Sequence, residues 1–202
     1  MTTQTTRYPR TLAISGQSFT LRPLVRGDEH ELAAFFRQLP VDDRRMLKDD
    51  VTNALVIASW CSNINYDKVL PLLAFAGGRV VSVATLHRSG GWSQHVAKIR
   101  VTVHPDHRGH GLGRAVVGEL VDLAGELKIS MLDAEVMSEQ KGGLKLFEEL
   151  GFLAVATLPQ HVLDLKHQAH DLVVMSKTLI PPERLSPDAY KSSEEVEEGG
   201  DG

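Results

Sequence analysis

The sequence predicts one α/β domain of the α+β type, and three observations support this prediction. Helical and strand periods of hydrophobic residues alternate along residues 19–182. A glycine pair, Gly77 and Gly78, joins two β-branched runs and predicts a hairpin. No internal repeat or linker divides the chain, and 202 residues are enough to bury one hydrophobic core.

The residue pattern in the first third of this domain predicts one strand followed by two helical regions. "FTLRPLV" (19–25) has strand character, and the next residues form an amphipathic pattern in which Asp28 is placed to cap a helix and Glu31 to complete a capping box. Pro40 ends this helix. A second helical region, 41–61, is predicted to be interrupted near Asp49 and Asp50.

The pattern of the remaining residues predicts a sheet with two further helices. Strands are expected over 69–76, 79–87 and 95–103, and the 3.6-residue period returns over 114–127. A buried strand over 129–137 precedes a helix that stops at Gly151, and a closing pair of strands ends the domain.

Composition restricts the class of protein. The last twelve residues hold five acids and one base, so the other 190 residues balance at 21 acids and 21 bases. A neutral body is not typical of a nucleic-acid-binding protein, and no apolar run predicts a signal peptide or a membrane span. The single cysteine, Cys61, excludes an internal disulfide and is expected in the core. We therefore expect a cytoplasmic protein, with residues 1–18 as a flexible leader that has room for one short strand, and 183–202 as a disordered acidic tail.

The stretch "VHPDHRGHGLGRA" (103–115) indicates an anion site between a strand and a helix. Glycines here let the backbone approach a ligand, and the first N–H groups of the helix favour phosphate. A Rossmann loop would need glycine where Arg114 stands, and a P-loop would need Gly-Lys-Ser/Thr. A metal site at His104, His107 and His110 is disfavoured, because ligands to zinc must converge in a tetrahedron.

Arg108, Gly111 and Gly113 match the signature Arg/Gln-x-x-Gly-x-Gly/Ala, and the sequence resembles the GNAT superfamily of N-acetyltransferases over about residues 19–180. "FTLRPLVRGDEHELAAFF" resembles the opening strand and helix of that family, and "LDAEVMSEQKGGLKLFEELGF" resembles a later strand and helix. The resemblance implies a central mixed, mostly antiparallel sheet flanked by helices.

The resemblance also implies acetyl-CoA as cosubstrate. The pyrophosphate would lie on the loop, and the strand before it would hydrogen-bond the pantetheine arm and polarise the thioester. The expected cofactor-binding residues are Val101, Thr102, Val103, Arg108, Gly109, His110, Gly111, Leu112, Gly113, Arg114 and Gln140.

Two catalytic positions depart from the family pattern. Many members carry a glutamate on the strand before the loop, where this chain has Lys98, and a tyrosine on the later helix, where it has Phe147. Because an attacking amine must lose a proton, Glu135 is predicted as the base. A surface role for Glu135 is the alternative, and His87 is a weaker candidate for the base.

The acceptor stays open between two classes of amine. "NINYDKVLPLLAF" and "GGRVVSVATL" resemble bacterial protein-lysine acetyltransferases and favour a protein or peptide amine, whereas a cation at Lys98 favours a small acceptor with an acidic group, such as an amino acid. The alternative function is a CoA-binding regulatory module that has little or no transferase activity. We expect a monomer or homodimer with no metal, nucleic-acid or membrane partner.

Overall fold

Eight strands form one sheet in the order β1-β2-β3-β4-β5-β6-β8-β7, in a computed structural model that describes residues 7–181. The strands are β1 (Arg10–Ile14), β2 (Gln17–Pro23), β3 (Val69–Ala76), β4 (Arg79–Arg88), β5 (Val96–Val103), β6 (Met131–Met137), β7 (Leu153–Leu163) and β8 (Ala169–Thr178). The helices are α1 (Glu29–Gln38), α2 (Val41–Arg45), α3 (Ala54–Ser62), α4 (Leu112–Glu126) and α5 (Lys141–Glu149). Neighbouring strands are antiparallel except β5 and β6, which are parallel. The predicted mixed, mostly antiparallel sheet is confirmed.

Two hydrophobic clusters cover the two faces of this sheet. Alternation along β3 sends Leu72 into the cluster that contains Val116 and Leu120 of α4. Its neighbour Leu73 points to the opposite face and packs with Phe36 of α1 and other residues of α1 and α3. The sheet therefore separates α4 from the α1–α3 segment.

Part of the segment predicted as a flexible leader, residues 1–18, is ordered, and it contains the one short strand that the prediction allowed for. Arg10–Ile14 forms β1, which pairs antiparallel with β2. Arg10 Nη1 donates to Glu119 Oε2 of α4 at 2.9 Å, and Arg7 and Tyr8 also bond this carboxylate, which is only 5% exposed. A buried carboxylate needs such partners, so polar residues that suggested a loose segment instead attach β1 to the domain. The acidic segment 183–202 lies outside the described residues.

The start of α1 also differs from its prediction. Asp28 precedes the helix, but its carboxylate does not cap α1. It accepts two hydrogen bonds from Arg22, at 2.6 and 2.7 Å, and one from the N–H of Val25 at 2.8 Å. Asp28 therefore fixes the turn between β2 and α1 instead of the first turn of the helix.

No helix within residues 7–181 is both long enough and apolar enough to cross a membrane. The longest of the helices, α4, has 15 residues, whereas a span needs about 20.

Candidate active site

The glycine loop connects the end of β5 to the start of α4. After Val103 the chain makes a 3₁₀ turn, Pro105–His107, and reaches Gly109 and Gly111 with φ angles of 74° and 92°. Such left-handed backbone is readily adopted by glycine alone. It turns the chain so that α4 begins at Leu112, directly after the loop.

Gly113 lies where α4 packs against β5 and α5. A Cβ atom at this position would lie 3.4 Å from both Leu146 of α5 and Val103 of β5, which is ordinary van der Waals contact. The position therefore has room for a small side chain, in agreement with the Gly/Ala alternative of the signature.

The first turn of α4 supplies the donors of an anion site. The first intrahelical bond runs from Ala115 N to Gly111 O, at 3.0 Å, so the N–H groups ahead of Ala115 have no partner within the helix. Unpaired donors and the positive end of the helix dipole favour a phosphate. Leu112 is 1% exposed and its side chain belongs to the core, so only its backbone can serve a ligand.

Two arginines border this loop, and each is paired with a carboxylate. Arg108 donates from Nη2 to Asp43 Oδ2 of α2 at 2.6 Å and from Nε to the carbonyl of Val103 at 2.9 Å. Arg114 donates to Glu149 Oε2 of α5 at 3.0 Å. The side chain of His110 is exposed, and its carbonyl accepts from Ser15 Oγ at 3.1 Å. The loop is thus held to α2, α5 and the β1–β2 turn.

A gap opens between β5 and β6 next to the loop. The two strands pair through Val96–Lys98 and Met131–Asp133, and in the described chain their ladder goes no further. Beyond this point β5 stays paired with β4 up to Val103, while β6 stays paired with β8 up to Met137. The two strands therefore separate, and one side of β5 is left open.

Backbone hydrogen bonds show which residues of β5 face the gap. The N–H of His104 donates to Val81 O of β4, whereas the carbonyl of His95 accepts from Ser130 and Met131 at the start of β6. Successive residues of a strand direct their backbone groups to opposite neighbours. Val101 and Val103 therefore face the gap.

Thr102, which lies between these two valines, has a different environment. Its carbonyl lies on the β4 side, where it accepts from Ser82 Oγ at 3.0 Å. Its side chain lines the cavity described below. Of the three strand residues predicted to bind the cofactor, two present their backbone to the gap and one does not.

Gln140 lies at the other edge of the gap, at the start of α5. Its side-chain oxygen accepts from the N–H of Met137 at 3.1 Å and closes the turn between β6 and α5. Its role in binding the cofactor stays a prediction.

Glu135 and Lys98 face each other across β6 and β5. Their side chains form an ion pair, and they are 32% and 40% exposed respectively. Burial acts to raise the pKa of Glu135, but the hydrogen bond and charge of Lys98, together with Lys48 and Arg100, hold it below its ordinary value. The predicted base is thus ionised at neutral pH but is a weaker base than a free glutamate.

His87 lies on the same face of the sheet as Lys98. Its Nε2 is 2.8 Å from Thr85 Oγ1. Burial, followed by the charges of Arg100 and Lys48, lowers the pKa of His87 to about 4. The imidazole is therefore neutral at pH 7, but it holds a proton too weakly to be an effective base.

Phe147, at the position where the family often has tyrosine, belongs to the core. It is 4% exposed and packs edge-on against Phe152, with 5.1 Å between ring centroids. It has no proton to give, so a departing thiolate would be protonated by water.

Among residues 7–181, no group of three or more histidine, cysteine, aspartate or glutamate side chains could hold a metal ion. The ring of His104 accepts from the N–H of Asp106, and the ring of His107 packs edge-on against Phe19.

A cavity of about 390 Å³ lies between the α1–α3 segment and the sheet. It reaches Val101 and Thr102, so it meets the gap at β5. Most of its lining is apolar: Leu24, Leu32, Phe36, Leu47, Val51, Trp60, Ile64, Val69, Pro71, Leu73 and Val83. Its charged lining residues are Lys48, Asp49, Lys68 and Arg100, of which three are cations. The sequence did not predict these residues as a site, because the lining comes from five separate segments, 24–36, 47–51, 59–73, 83–87 and 100–102.

The arrangement of loop, gap and cavity fits the comparison with known proteins. The sequence model of the Acetyltransferase (GNAT) family matches residues 32–152, which is more than half of the chain. The chain belongs to this family. GNAT proteins are N-acetyltransferases that use acetyl-CoA, so membership confirms the resemblance on which the expected fold, enzyme class and cosubstrate rest.

Two curated GNAT relatives share part of the sequence. The L-amino acid N-acyltransferase MnaT of Escherichia coli (strain K12) is 37% identical over 67 residues, or 33% of this chain and 39% of the relative. An L-methionine sulfoximine/L-methionine sulfone acetyltransferase of Salmonella typhimurium is 37% identical over 60 residues, or 30% of this chain and 35% of the relative. The chain matches well under half of the length of both relatives.

A solved structure shows the same fold over most of this chain. The protein yncA from Salmonella typhimurium, determined with its cofactor acetyl-CoA, superposes with a TM-score of 0.67 and 24% sequence identity. The match covers 80% of this chain and 94% of that protein.

Proposed function

We propose that this protein transfers the acetyl group of acetyl-CoA to the primary amine of a small, amino-acid-like acceptor, by direct attack in a ternary complex. One observation carries the proposal. The phosphate loop and the gap between β5 and β6 meet the apolar, cation-rimmed cavity at Val101.

The loop and the gap support the position of the cofactor. The pyrophosphate would lie on the unpaired N–H groups at the start of α4, and the pantetheine arm would extend along Val103 and Val101. An N–H of β5 that faces the gap is in place to stabilise the oxyanion that forms when an amine attacks a thioester. The acetyl group would then reach the cavity wall at residue 101.

The reaction needs a base because the acceptor amine is protonated at neutral pH. A primary amine with a pKa near that of lysine is mostly protonated at neutral pH and must lose a proton before it attacks. Glu135, ionised and partly exposed near Arg100, is the proposed acceptor of this proton, directly or through water.

The cavity favours a small acceptor over a lysine side chain of a protein. Its volume and apolar walls fit a hydrophobic side chain. Three cations against one carboxylate on its lining favour an acceptor that carries a negative charge. The names of both curated relatives refer to amino acids or amino-acid analogues.

Steady-state release of CoA thiol tests this proposal. The panel should contain apolar L-amino acids, simple alkylamines and lysine-containing peptides, each with acetyl-CoA. We expect turnover above background hydrolysis with apolar amino acids, and much less with peptides. Turnover with peptides alone would contradict the acceptor class. No turnover with any amine, together with intact acetyl-CoA binding, would favour the CoA-binding regulatory module.

A further inference from the structure

We infer that Arg100 binds the carboxylate of the acceptor and thereby selects α-amino acids over amines that lack this group. The inference rests on the proposed function and assigns its specificity to one side chain.

Arg100 has a guanidinium with one distant ion-pair partner. It lines the cavity, and its side chain is 36% exposed. Within the described chain its single ion-pair partner is Asp49, whose Oδ2 lies 3.9 Å away. This distance is too long for a hydrogen bond. The planar fork of donors is therefore available for a ligand.

Lys98 and Arg108, which also lie near the expected reacting centre, are engaged more tightly than Arg100. Lys98 is paired with Glu135, and Arg108 donates to Asp43 at 2.6 Å. Lys48 and Lys68 border the cavity and have no carboxylate within 4.0 Å among residues 7–181, but both are exposed ammonium groups on flexible stems. An arginine can bind a carboxylate through two parallel hydrogen bonds, which a lysine cannot do. Arg100 is thus best suited to orient an acid group.

The charges around Arg100 favour an anion. Asp49 is the one carboxylate on the lining, against the three cations Lys48, Lys68 and Arg100. Glu135 is neutralised by its pair with Lys98. His87, the remaining titratable group of the lining, is uncharged at pH 7. A carboxylate that enters the cavity therefore meets a net positive surrounding.

The position of Arg100 along β5 determines which amine of the acceptor can react. Arg100 directly precedes Val101, whose backbone faces the gap. In an α-amino acid the carboxylate and the amine are attached to the same carbon. A carboxylate held at Arg100 therefore places the α-amine beside the expected thioester, while the side chain extends into the apolar part of the cavity. An ε-amine could not reach this point with its carboxylate in the same place.

The test compares L-leucine with L-leucinamide, which differ in the carboxylate alone. The measured quantity is the ratio of kcat/KM for leucine to that for leucinamide, in wild type and in Arg100→Gln. Loss of a charged hydrogen-bonding group typically reduces affinity by about 10- to 100-fold. We expect the ratio to fall by this amount, with a much smaller change in kcat/KM for leucinamide. Arg100→Lys should restore part of the ratio.

Arg79→Gln, at an exposed arginine at the start of β4, provides the matched control and should leave the ratio unchanged. Thermal unfolding and acetyl-CoA binding of each variant verify the fold. An unchanged ratio in Arg100→Gln would overturn the inference.

Calorimetric binding of L-leucine to the CoA complex provides a readout that does not depend on turnover. We expect leucine to bind the wild type and to bind Arg100→Gln about 10- to 100-fold more weakly. Binding that does not depend on Arg100, or no binding to the wild type, overturns the inference. Arg100-dependent binding without turnover contradicts the proposed function alone.

Discussion

Arg108 Nη2 and Asp43 Oδ2 lie 2.6 Å apart and join the glycine loop to α2. The end of α2 is anchored elsewhere, because Arg45 Nε donates to the buried carboxylate of Asp164 in the β7–β8 loop at 2.9 Å. Leu47–Val51, which follow α2, include several lining residues of the cavity. The α2 helix that leads into this part of the cavity wall is therefore held by two ion pairs, one of which involves the glycine loop.

Replacement of Asp43 should strengthen the binding of acetyl-CoA. In Asp43→Asn the guanidinium of Arg108 loses its carboxylate partner, and a negative charge near the pyrophosphate site disappears. Since both side chains are partly exposed, the effect should be modest, with affinity rising about two- to fivefold at low salt. Calorimetry measures this change. Asp42→Asn, which removes the same charge from the adjacent residue, should have a smaller effect, and weaker binding in Asp43→Asn would contradict the prediction.

A negative charge in the glycine loop should weaken cofactor binding. Gly109 has a φ of 74°, and no atom lies within 4 Å of the place that a Cβ would take, so Gly109→Asp introduces charge without a clash. Repulsion of the pyrophosphate should lower acetyl-CoA affinity by at least about tenfold. Gly91→Asp is the matched control, because Gly91 also has a positive φ and open surroundings but lies in the β4–β5 turn. Equal losses in both variants would point to backbone strain instead of a phosphate site.

Removal of the carboxylate at residue 135 tests the predicted base. If Glu135 accepts the proton of the acceptor ammonium, Glu135→Gln should reduce turnover by about 10²-fold or more at neutral pH. Acetyl-CoA affinity, measured separately, should barely change. Wild-type turnover in this variant would exclude Glu135 and leave water as the route for the proton.

The pairing of Lys98 with Glu135 predicts a shift in the pH profile. The hydrogen bond and charge of Lys98 lower the pKa of Glu135, so Lys98→Met should raise it. Since a protonated glutamate cannot act as a base, the acidic limb of the kcat profile should move to higher pH. An acidic limb that stays in place would show that a different group titrates there.

His170 should make stability depend on pH. Its Nδ1 is 3.2 Å from Glu139 Oε1 and its Nε2 is 3.2 Å from Asp164 Oδ2, and these two carboxylates raise its pKa. A histidine whose pKa is raised on folding stabilises the fold below its unfolded pKa, about 6.5, and this contribution is lost as the pH rises through the folded value. The thermal midpoint should therefore fall from pH 6 towards pH 9.

The matched variants for this prediction are two histidine replacements. His170→Gln should remove most of the dependence on pH, while His161→Gln, at an exposed residue of β7, should keep it. An equal slope in wild type and His170→Gln would show that other groups account for the effect.

The sequence predicted most of the helices and strands, and it predicted where the glycine loop between β5 and α4 lies. Turn and strand preferences are local properties, so the two glycines of the β3–β4 turn and the β-branched residues around them predicted a hairpin that the structure contains. Gly109 and Gly111 likewise carry a local requirement for backbone angle, because both have a positive φ.

Only the tertiary structure decided which charged side chains meet. Lys98 and Glu135 are 37 positions apart in the sequence, and their pairing depends on the register of β5 and β6. The pairing of Arg10 with Glu119 depends on how β1 lies against α4. The same is true of Arg100, whose place in the cavity depends on residues from α1 to β5 that packing brings together. A charge in a sequence has no preferred partner until strand register and helix packing bring one within a few ångströms, because electrostatic attraction between exposed groups is short-ranged in water.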